Sequence, residues 1–142
     1  MKDYLVDVTD TDFVVSVTDS MVDYEKQIAI EKVPEQYYEL TGILRCICEK
    51  ILEEYNGFFL HCSCLLYVDK AIVFTAKSGT GKSTHARLWR EVLGDKVTMI
   101  NDDKPIVRYI DGEFIIYGTP WNGKHSLSNN IKAPIKAIYY LH

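Results

Sequence analysis

The sequence lacks an excess of positive charge, a long hydrophobic run and a signal-peptide pattern at its N-terminus. Its 16 Lys and Arg residues are outnumbered by 20 Asp and Glu residues, which gives a formal net charge of -4. Binding to a nucleic-acid backbone or to an acidic membrane surface requires net or clustered positive charge, so we expect neither partner. Because no apolar run is long enough to span a bilayer, we expect a cytoplasmic protein.

Cysteines are few, and the four present fall as Cys46-x-Cys48 and Cys62-x-Cys64. Cys46 and Cys48 lie in a predicted helix, where residues two apart point away from each other and do not readily bind one zinc ion. Cys62 and Cys64 share one face of a predicted strand, where small buried hydrophobes are the simpler interpretation. We therefore expect reduced, buried thiols rather than a zinc site.

The chain is organised around one glycine-rich stretch, Ala76-Lys77-Ser78-Gly79-Thr80-Gly81-Lys82-Ser83-Thr84. A β-branched and aromatic run at residues 71–74 predicts a buried strand before it, and helical spacing over residues 84–93 predicts a helix after it. Gly79 and Gly81 allow backbone angles and a close approach that a side chain would block. Successive N–H groups can therefore surround an anion at the helix N-terminus.

Two side chains of this stretch have the chemistry to bind a polyphosphate. Lys82 supplies a charge that can reach the β- and γ-phosphates, and the Ser83 hydroxyl is placed to bind magnesium. A glycine-rich structural turn capped by serine is the alternative. The predicted nucleotide-binding residues are Ser78, Gly79, Thr80, Gly81, Lys82, Ser83 and Thr84.

Two adjacent carboxylates follow at the end of the next predicted strand, where residues 97–100 run into Asn101-Asp102-Asp103. Ligands of open α/β sheets bind at the carboxyl edge of the strands. Adjacent side chains on an extended segment point to opposite faces, so the two aspartates should have different roles. Asp102 is predicted to bind magnesium with Ser83, and Asp103 to accept a proton from an attacking hydroxyl. An acidic turn before Pro105 is the structural alternative.

The remaining elements are predicted from periodicity and turn residues. Strands at residues 13–17 and 27–30 precede a helix over residues 34–55, which has an apolar stripe at helical spacing. A hairpin over residues 57–75 places His61 and Ser63 on one face of its first strand, and Asp111-Gly112 predicts a second hairpin.

A long loop is predicted over residues 118–130, which are rich in Gly, Pro, Ser and Asn. Since it follows the predicted nucleotide edge of the sheet, Lys124 and His125 are candidate contacts for phosphate or substrate. An ordinary mobile surface loop is the alternative.

Three segments together resemble the catalytic domain of HPr kinase/phosphorylase in order and spacing. They are Phe58-Phe59-Leu60-His61-Cys62-Ser63, Ser78-Gly79-Thr80-Gly81-Lys82-Ser83-Thr84 and Ile100-Asn101-Asp102-Asp103. The Ser-Gly-Thr-Gly-Lys core also resembles the phosphate loop of phosphoenolpyruvate carboxykinase, which shares that fold. The resemblance covers about residues 56–141. It implies a mixed-sheet P-loop domain that phosphorylates serine in a protein or peptide, with His61, Asp102 and Asp103 in the active site. Together with Lys82 of the glycine-rich stretch, these are the predicted catalytic residues.

The chain also departs from that family. Thr84 stands where the kinase has Glu, and the later signature, with its acidic metal residue and basic loop, is not recognisable. Residues 118–124 are more similar to kinase-related proteins encoded beside peptide-modifying enzymes. An apolar strand predicted over residues 137–141 ends one residue before the last, so we expect a C-terminal portion of the family domain to be absent.

The sequence thus predicts one α/β domain, with N-terminal strands plus a helix in residues 1–55 and a nucleotide-binding, kinase-like core in residues 56–142. The predicted activity is Mg²⁺-dependent phosphoryl transfer from ATP to a Ser or Thr hydroxyl of a peptide or protein. GTP and pyrophosphate are not distinguished from ATP, and a homo-oligomer is compatible with the sequence. The alternatives are a non-catalytic nucleotide-binding or partner module and a small-molecule enzyme of the carboxykinase type.

Overall fold

The computed structural model describes residue 4, residues 13–123 and residues 125–142. Within these residues the chain is a mixed α/β protein with three α-helices and one seven-stranded sheet. No helix of the described part is both long and apolar enough to cross a membrane. In chain order the elements are α1 (Asp19–Ile28), α2 (Glu35–Tyr55), β1 (Gly57–Phe59), β2 (Cys62–Tyr67), β3 (Lys70–Thr75), α3 (Lys82–Leu93), β4 (Val97–Asp103), β5 (Ile106–Ile110), β6 (Glu113–Tyr117) and β7 (Lys132–Tyr140).

The sheet is mixed, as predicted, with the strand order β1-β5-β6-β7-β3-β2-β4. Neighbouring strands are antiparallel except β3 and β7, which run parallel. The turns Val68-Asp69 and Asp111-Gly112 close two hairpins, and all four turn residues have positive φ. This conformation gives two-residue turns the twist of the strands they join, and the predicted turns of both hairpins are confirmed.

The chain divides into two compact units, one that contains α1 and α2 and one that contains α3 and the sheet. The helix predicted over residues 34–55 is confirmed as α2. Pro34 precedes it and accepts a hydrogen bond from the Tyr37 N–H at 2.9 Å. Asn56 follows its last residue with φ 49°, a left-handed conformation that ends the helix.

The two strands predicted before α2 are wrong. Residues 13–18 contain neither helix nor strand, and Gln27 and Ile28 are the last residues of α1. The physical reason is a contact between the two helices: Glu25 of α1 is only 4% exposed and accepts a hydrogen bond from Arg45 of α2 at 2.6 Å. The contact stabilises α1 against α2, and Arg45 lies 20 positions after Glu25, so the local sequence around Glu25 does not indicate it.

Strand β3 lies between two apolar clusters, as expected for a buried strand. Because side chains alternate along a strand, Ala71 and Val73 belong to one cluster, whereas Ile72 and Phe74 belong to the other. Ala86 of α3 is buried in the second cluster, so α3 covers that face of the sheet. The predicted strand and the helix that follows it are both confirmed.

The cysteines of β2 are core residues. Cys62 and Cys64 are 1% and 0% exposed in the first cluster, and both thiols are free. A hydrogen bond with Cys64, together with burial, raises the pKa of the Cys62 thiol well above its usual range. The predicted buried thiols are confirmed for this pair, while Cys46 and Cys48 are half-buried on α2.

Two further strand predictions are corrected in the sheet. The first strand of the 57–75 hairpin is interrupted, because β1 pairs with β5 whereas β2 pairs with β3 and β4. His61 lies between β1 and β2 rather than on a strand. The strand predicted over residues 137–141 is the end of the longer β7, and its Ile138 and Tyr140 are 55% and 62% exposed, so it is not a core strand.

Candidate functional site

The glycine loop, defined here as residues 76–81, connects β3 to α3. Gly79 and Gly81 have φ values of 80° and 101°, in the left-handed region that favours glycine. Gly81 is the N-cap of α3, so the N–H groups that have no acceptor within the helix begin at Lys82. Both glycines therefore adopt the conformation for which the sequence analysis required them.

Lys82 is buried against the glycine loop and is 8% exposed. Its ammonium group donates to the carbonyl oxygens of Ala76 at 3.2 Å and Lys77 at 3.4 Å. An ammonium group has three donors, so one remains for another acceptor. Within the described residues, no carboxylate lies close enough to Lys82 to form an ion pair. The positive charge of Lys82 is therefore available to an anion.

The two adjacent aspartates at the end of β4 have different partners. Asp102 is 5% exposed and accepts a hydrogen bond from the Ser63 hydroxyl at 2.6 Å. Asp103 is more exposed, with one carboxylate oxygen 3.6 Å from His61 Nε2 and the other accepting from Lys104 Nζ at 2.6 Å. The two carboxylates thus have different partners and different exposure, and their different roles stay a prediction.

His61 lies between positive and negative groups. Burial lowers its pKa below the usual value, Lys82 and Lys104 lower it further, and Asp103 opposes them by raising it. Asp103 lies 3.6 Å from His61 Nε2, and burial together with the two lysines outweighs its effect on the His61 pKa. These effects favour the neutral ring of His61, which can donate a hydrogen bond from one ring nitrogen.

One cavity of about 570 Å³ brings these groups together, a volume within the range of small-molecule sites. Thr80 does not line it, because it lies at the exposed tip of the glycine loop and its N–H donates to the Lys77 carbonyl at 3.3 Å. The other predicted catalytic and nucleotide-binding residues all do. The lining residues are His61, Cys62, Ser78, Gly79, Gly81, Lys82, Ser83, Thr84, Asp102, Asp103, Gly123 and His125.

The 118–130 loop lies along β4, where a bridge pairs Asn122 with Asp103. The Gly123 N–H donates to the Asp102 carbonyl at 3.0 Å, and a Cβ at position 123 would approach that oxygen to 2.7 Å. Only glycine fits so close to the strand without displacing the loop. The loop is thus attached to the site, and His125 lines the cavity, whereas Lys124 lies outside the described residues.

Ser63 and Gly123 are site residues that sequence reasoning missed. The sequence predicts for Ser63 only that it shares a strand face with His61, and its hydrogen bond to Asp102 joins residues 39 positions apart. No local pattern reveals such a pairing. Gly123 could have been found as a glycine in a loop that follows an acidic strand end, but the oxygen that it approaches is visible only in the fold.

The donor set of the cavity fits magnesium. The Ser83 hydroxyl and the Asp102 carboxylate both line it, and Mg²⁺ prefers oxygen ligands. Within the described residues, no group of three or more His, Cys, Asp or Glu side chains could hold a metal by itself.

Comparison with protein-family models and with curated proteins finds no match. Among the solved structures that the chain resembles is the Hpr(Ser) kinase/phosphatase from Coxiella burnetii, at 10% sequence identity and a TM-score of 0.45. The match covers 58% of this chain and 58% of that one, so the chain spans little more than half of the neighbour's length.

Proposed function

We propose that this protein is an ATP-dependent phosphotransferase that phosphorylates a serine or threonine hydroxyl of a peptide or protein. The supporting observation is that residues of the glycine loop, Lys82 and both aspartates line the same cavity. A buried cation beside free N–H groups is a site for a polyphosphate. A hydroxyl acceptor needs a base close to the transferred phosphate. Either carboxylate of the cavity has the chemistry of such a base.

The phosphate tail binds at the N-terminus of α3, where Lys82 neutralises charge on the β- and γ-phosphates. Lys82 is already held by the Ala76 and Lys77 carbonyls, so little side-chain freedom is lost when the nucleotide binds. His61 donates a hydrogen bond from its neutral ring to an oxygen of the transferred phosphoryl group.

Asp103 is the proposed base, because its carboxylate is the more exposed of the pair. As the acceptor oxygen forms its bond to the γ-phosphorus, its proton passes to Asp103. The bond between the γ-phosphorus and the bridging oxygen breaks, and ADP leaves with that electron pair. Magnesium, when held by Ser83 and Asp102, offsets the negative charge of the phosphates.

The test is transfer of label from γ-labelled ATP to peptides that contain serine or threonine. Lys82→Met should lower transfer by about 100-fold, since it removes a charge aimed at the transferred group. Lys77→Met is the matched control, because it removes an exposed lysine from the same loop and should keep the wild-type rate. Equal transfer by wild type and Lys82→Met would show that the label passes through another enzyme and would refute the proposal.

One contact favours a second function, nucleotide binding without turnover. The Lys104 ammonium donates to Asp103 at 2.6 Å, so one carboxylate oxygen of Asp103 already has a partner and is less accessible to an acceptor hydroxyl. Calorimetry that shows stoichiometric ATP binding, with no label transferred to peptide or water by either wild type or Lys104→Met, would establish this function. Label transfer that increases in Lys104→Met would instead support Asp103 as the base.

A further inference from the structure

Asn101 uses the whole hydrogen-bonding capacity of its side chain although it is 0% exposed. Its amide oxygen accepts from the N–H groups of Asp103 and Lys104, both at 2.9 Å. Its amide nitrogen donates to the Thr119 carbonyl at 2.9 Å, with longer contacts to Thr119 Oγ1 at 3.1 Å and to the Trp121 carbonyl at 3.3 Å. One buried amide thus joins the acidic end of β4 to the start of the 118–130 loop.

The orientation of this amide is unique. The groups around its oxygen are N–H donors, and the groups around its nitrogen are mainly carbonyl acceptors. A flip of the amide would place donors against donors and acceptors against acceptors in a site that excludes water, which is costly. Asn101 therefore holds both segments in one relative position.

Thr119 completes the connection and is 3% exposed. Its hydroxyl donates to the Lys104 carbonyl at 2.7 Å, while Asn101 bonds to the Lys104 N–H. Residue 104 is consequently held at both its N–H and its carbonyl, directly after Asp103. A shift of residue 104 would carry the Asp103 carboxylate away from His61.

We propose that Asn101 and Thr119 are positioning residues, which fix the Asp103 carboxylate and the start of the 118–130 loop at the cavity for phosphoryl transfer. This inference rests on the proposed function. Neither side chain lines the cavity, so each acts through Asp103 and the loop rather than by touching the nucleotide. Misplacement of a reacting group by about 1 Å can cost about 100-fold in rate. Loss of the connection should therefore lower kcat and leave nucleotide affinity unchanged, because the glycine loop and Lys82 are not involved.

Thr119→Val tests this with little change in shape, and Thr119→Ser restores the hydroxyl. We expect Thr119→Val to lower kcat by about 10- to 100-fold with an ATP dissociation constant within about threefold of wild type, and Thr119→Ser to recover most of kcat. Asn129→Ala is the matched control. It removes a side-chain bond at 2.7 Å to the Met99 carbonyl, which attaches the same loop to the same strand away from Asp103. It should keep kcat.

A second readout does not depend on turnover. Because Asp103 raises the pKa of His61, displacement of Asp103 should lower the His61 pKa further. NMR titration of nucleotide-free protein should show that decrease in Thr119→Val and not in Thr119→Ser or Asn129→Ala. Wild-type kcat in Thr119→Val, an unchanged His61 titration in that variant, or an equal loss of kcat in Asn129→Ala would each overturn the positioning role. Absence of label transfer by wild type, with the His61 shift present, would count against the proposed function alone.

Discussion

Replacement of Ser63 by alanine removes a hydroxyl that donates to the buried Asp102 carboxylate, at 2.6 Å. Asp102 is 5% exposed, so water does not easily replace the lost donor. A hydrogen bond to a charged group contributes about 1.5–3 kcal/mol. The removed hydroxyl leaves a space of only one atom, and a cavity of that size adds little to the loss of stability. We expect the free energy of unfolding to fall by about 2 kcal/mol, which is roughly a 30-fold change in the unfolding equilibrium.

Urea denaturation followed by tryptophan fluorescence measures this change as a lower midpoint at constant slope. Thr98→Val is the matched control, because it removes an exposed hydroxyl from the strand that carries Asp102 and should change stability by less than about 0.5 kcal/mol. In a double-mutant cycle with Asp102→Ala, which removes the acceptor, the effect of Ser63→Ala should become much smaller. A midpoint for Ser63→Ala equal to that of Thr98→Val would refute the reasoning.

Two further perturbations test the geometry of the cavity. Gly123→Ala should lower the free energy of unfolding by about 1–3 kcal/mol, because its Cβ would lie 2.7 Å from the Asp102 carbonyl, and an unchanged urea midpoint would contradict that close approach. His61 has a pKa below its usual value of 6.5 through burial and the charge of Lys82, so the folded protein binds fewer protons than the unfolded chain near that pH. Stability should therefore decline as pH falls below about 6.5, and His61→Gln should reduce this decline. Parallel curves of unfolding free energy against pH for wild type and His61→Gln would contradict the lowered pKa of His61.

The elements predicted correctly are those whose information is local. The glycine loop lies between a strand of β-branched residues and a helix that ends at Gly94, and each signal is read within about ten residues. Asp111-Gly112 specifies its turn locally, because two consecutive residues with positive φ are enough to reverse the direction of the chain between two antiparallel strands. Helix α2 follows from its length and apolar spacing, which tertiary contacts only reinforce.

The wrong predictions are those in which a distant partner decided the outcome. Gln27-Ile28-Ala29-Ile30 has strand composition, but residues 27 and 28 belong to the helix that brings Glu25 to Arg45. The strand predicted through His61 divides because its two halves pair with different neighbours. Intrinsic preference is a weak term in short segments, so packing overrides it.

By itself the sequence determined the chemistry available at the candidate site: flexible glycines before a helix, one lysine, one serine and two adjacent carboxylates. Backbone preference and residue type are local properties, and so they could be recognised in order along the chain. Only the tertiary structure decided that these groups line one cavity, that Ser63 bonds to Asp102, and that Asn101 and Thr119 hold the loop against β4. Those contacts join residues 18 and 39 positions apart, and their pairing depends on the strand order of the sheet.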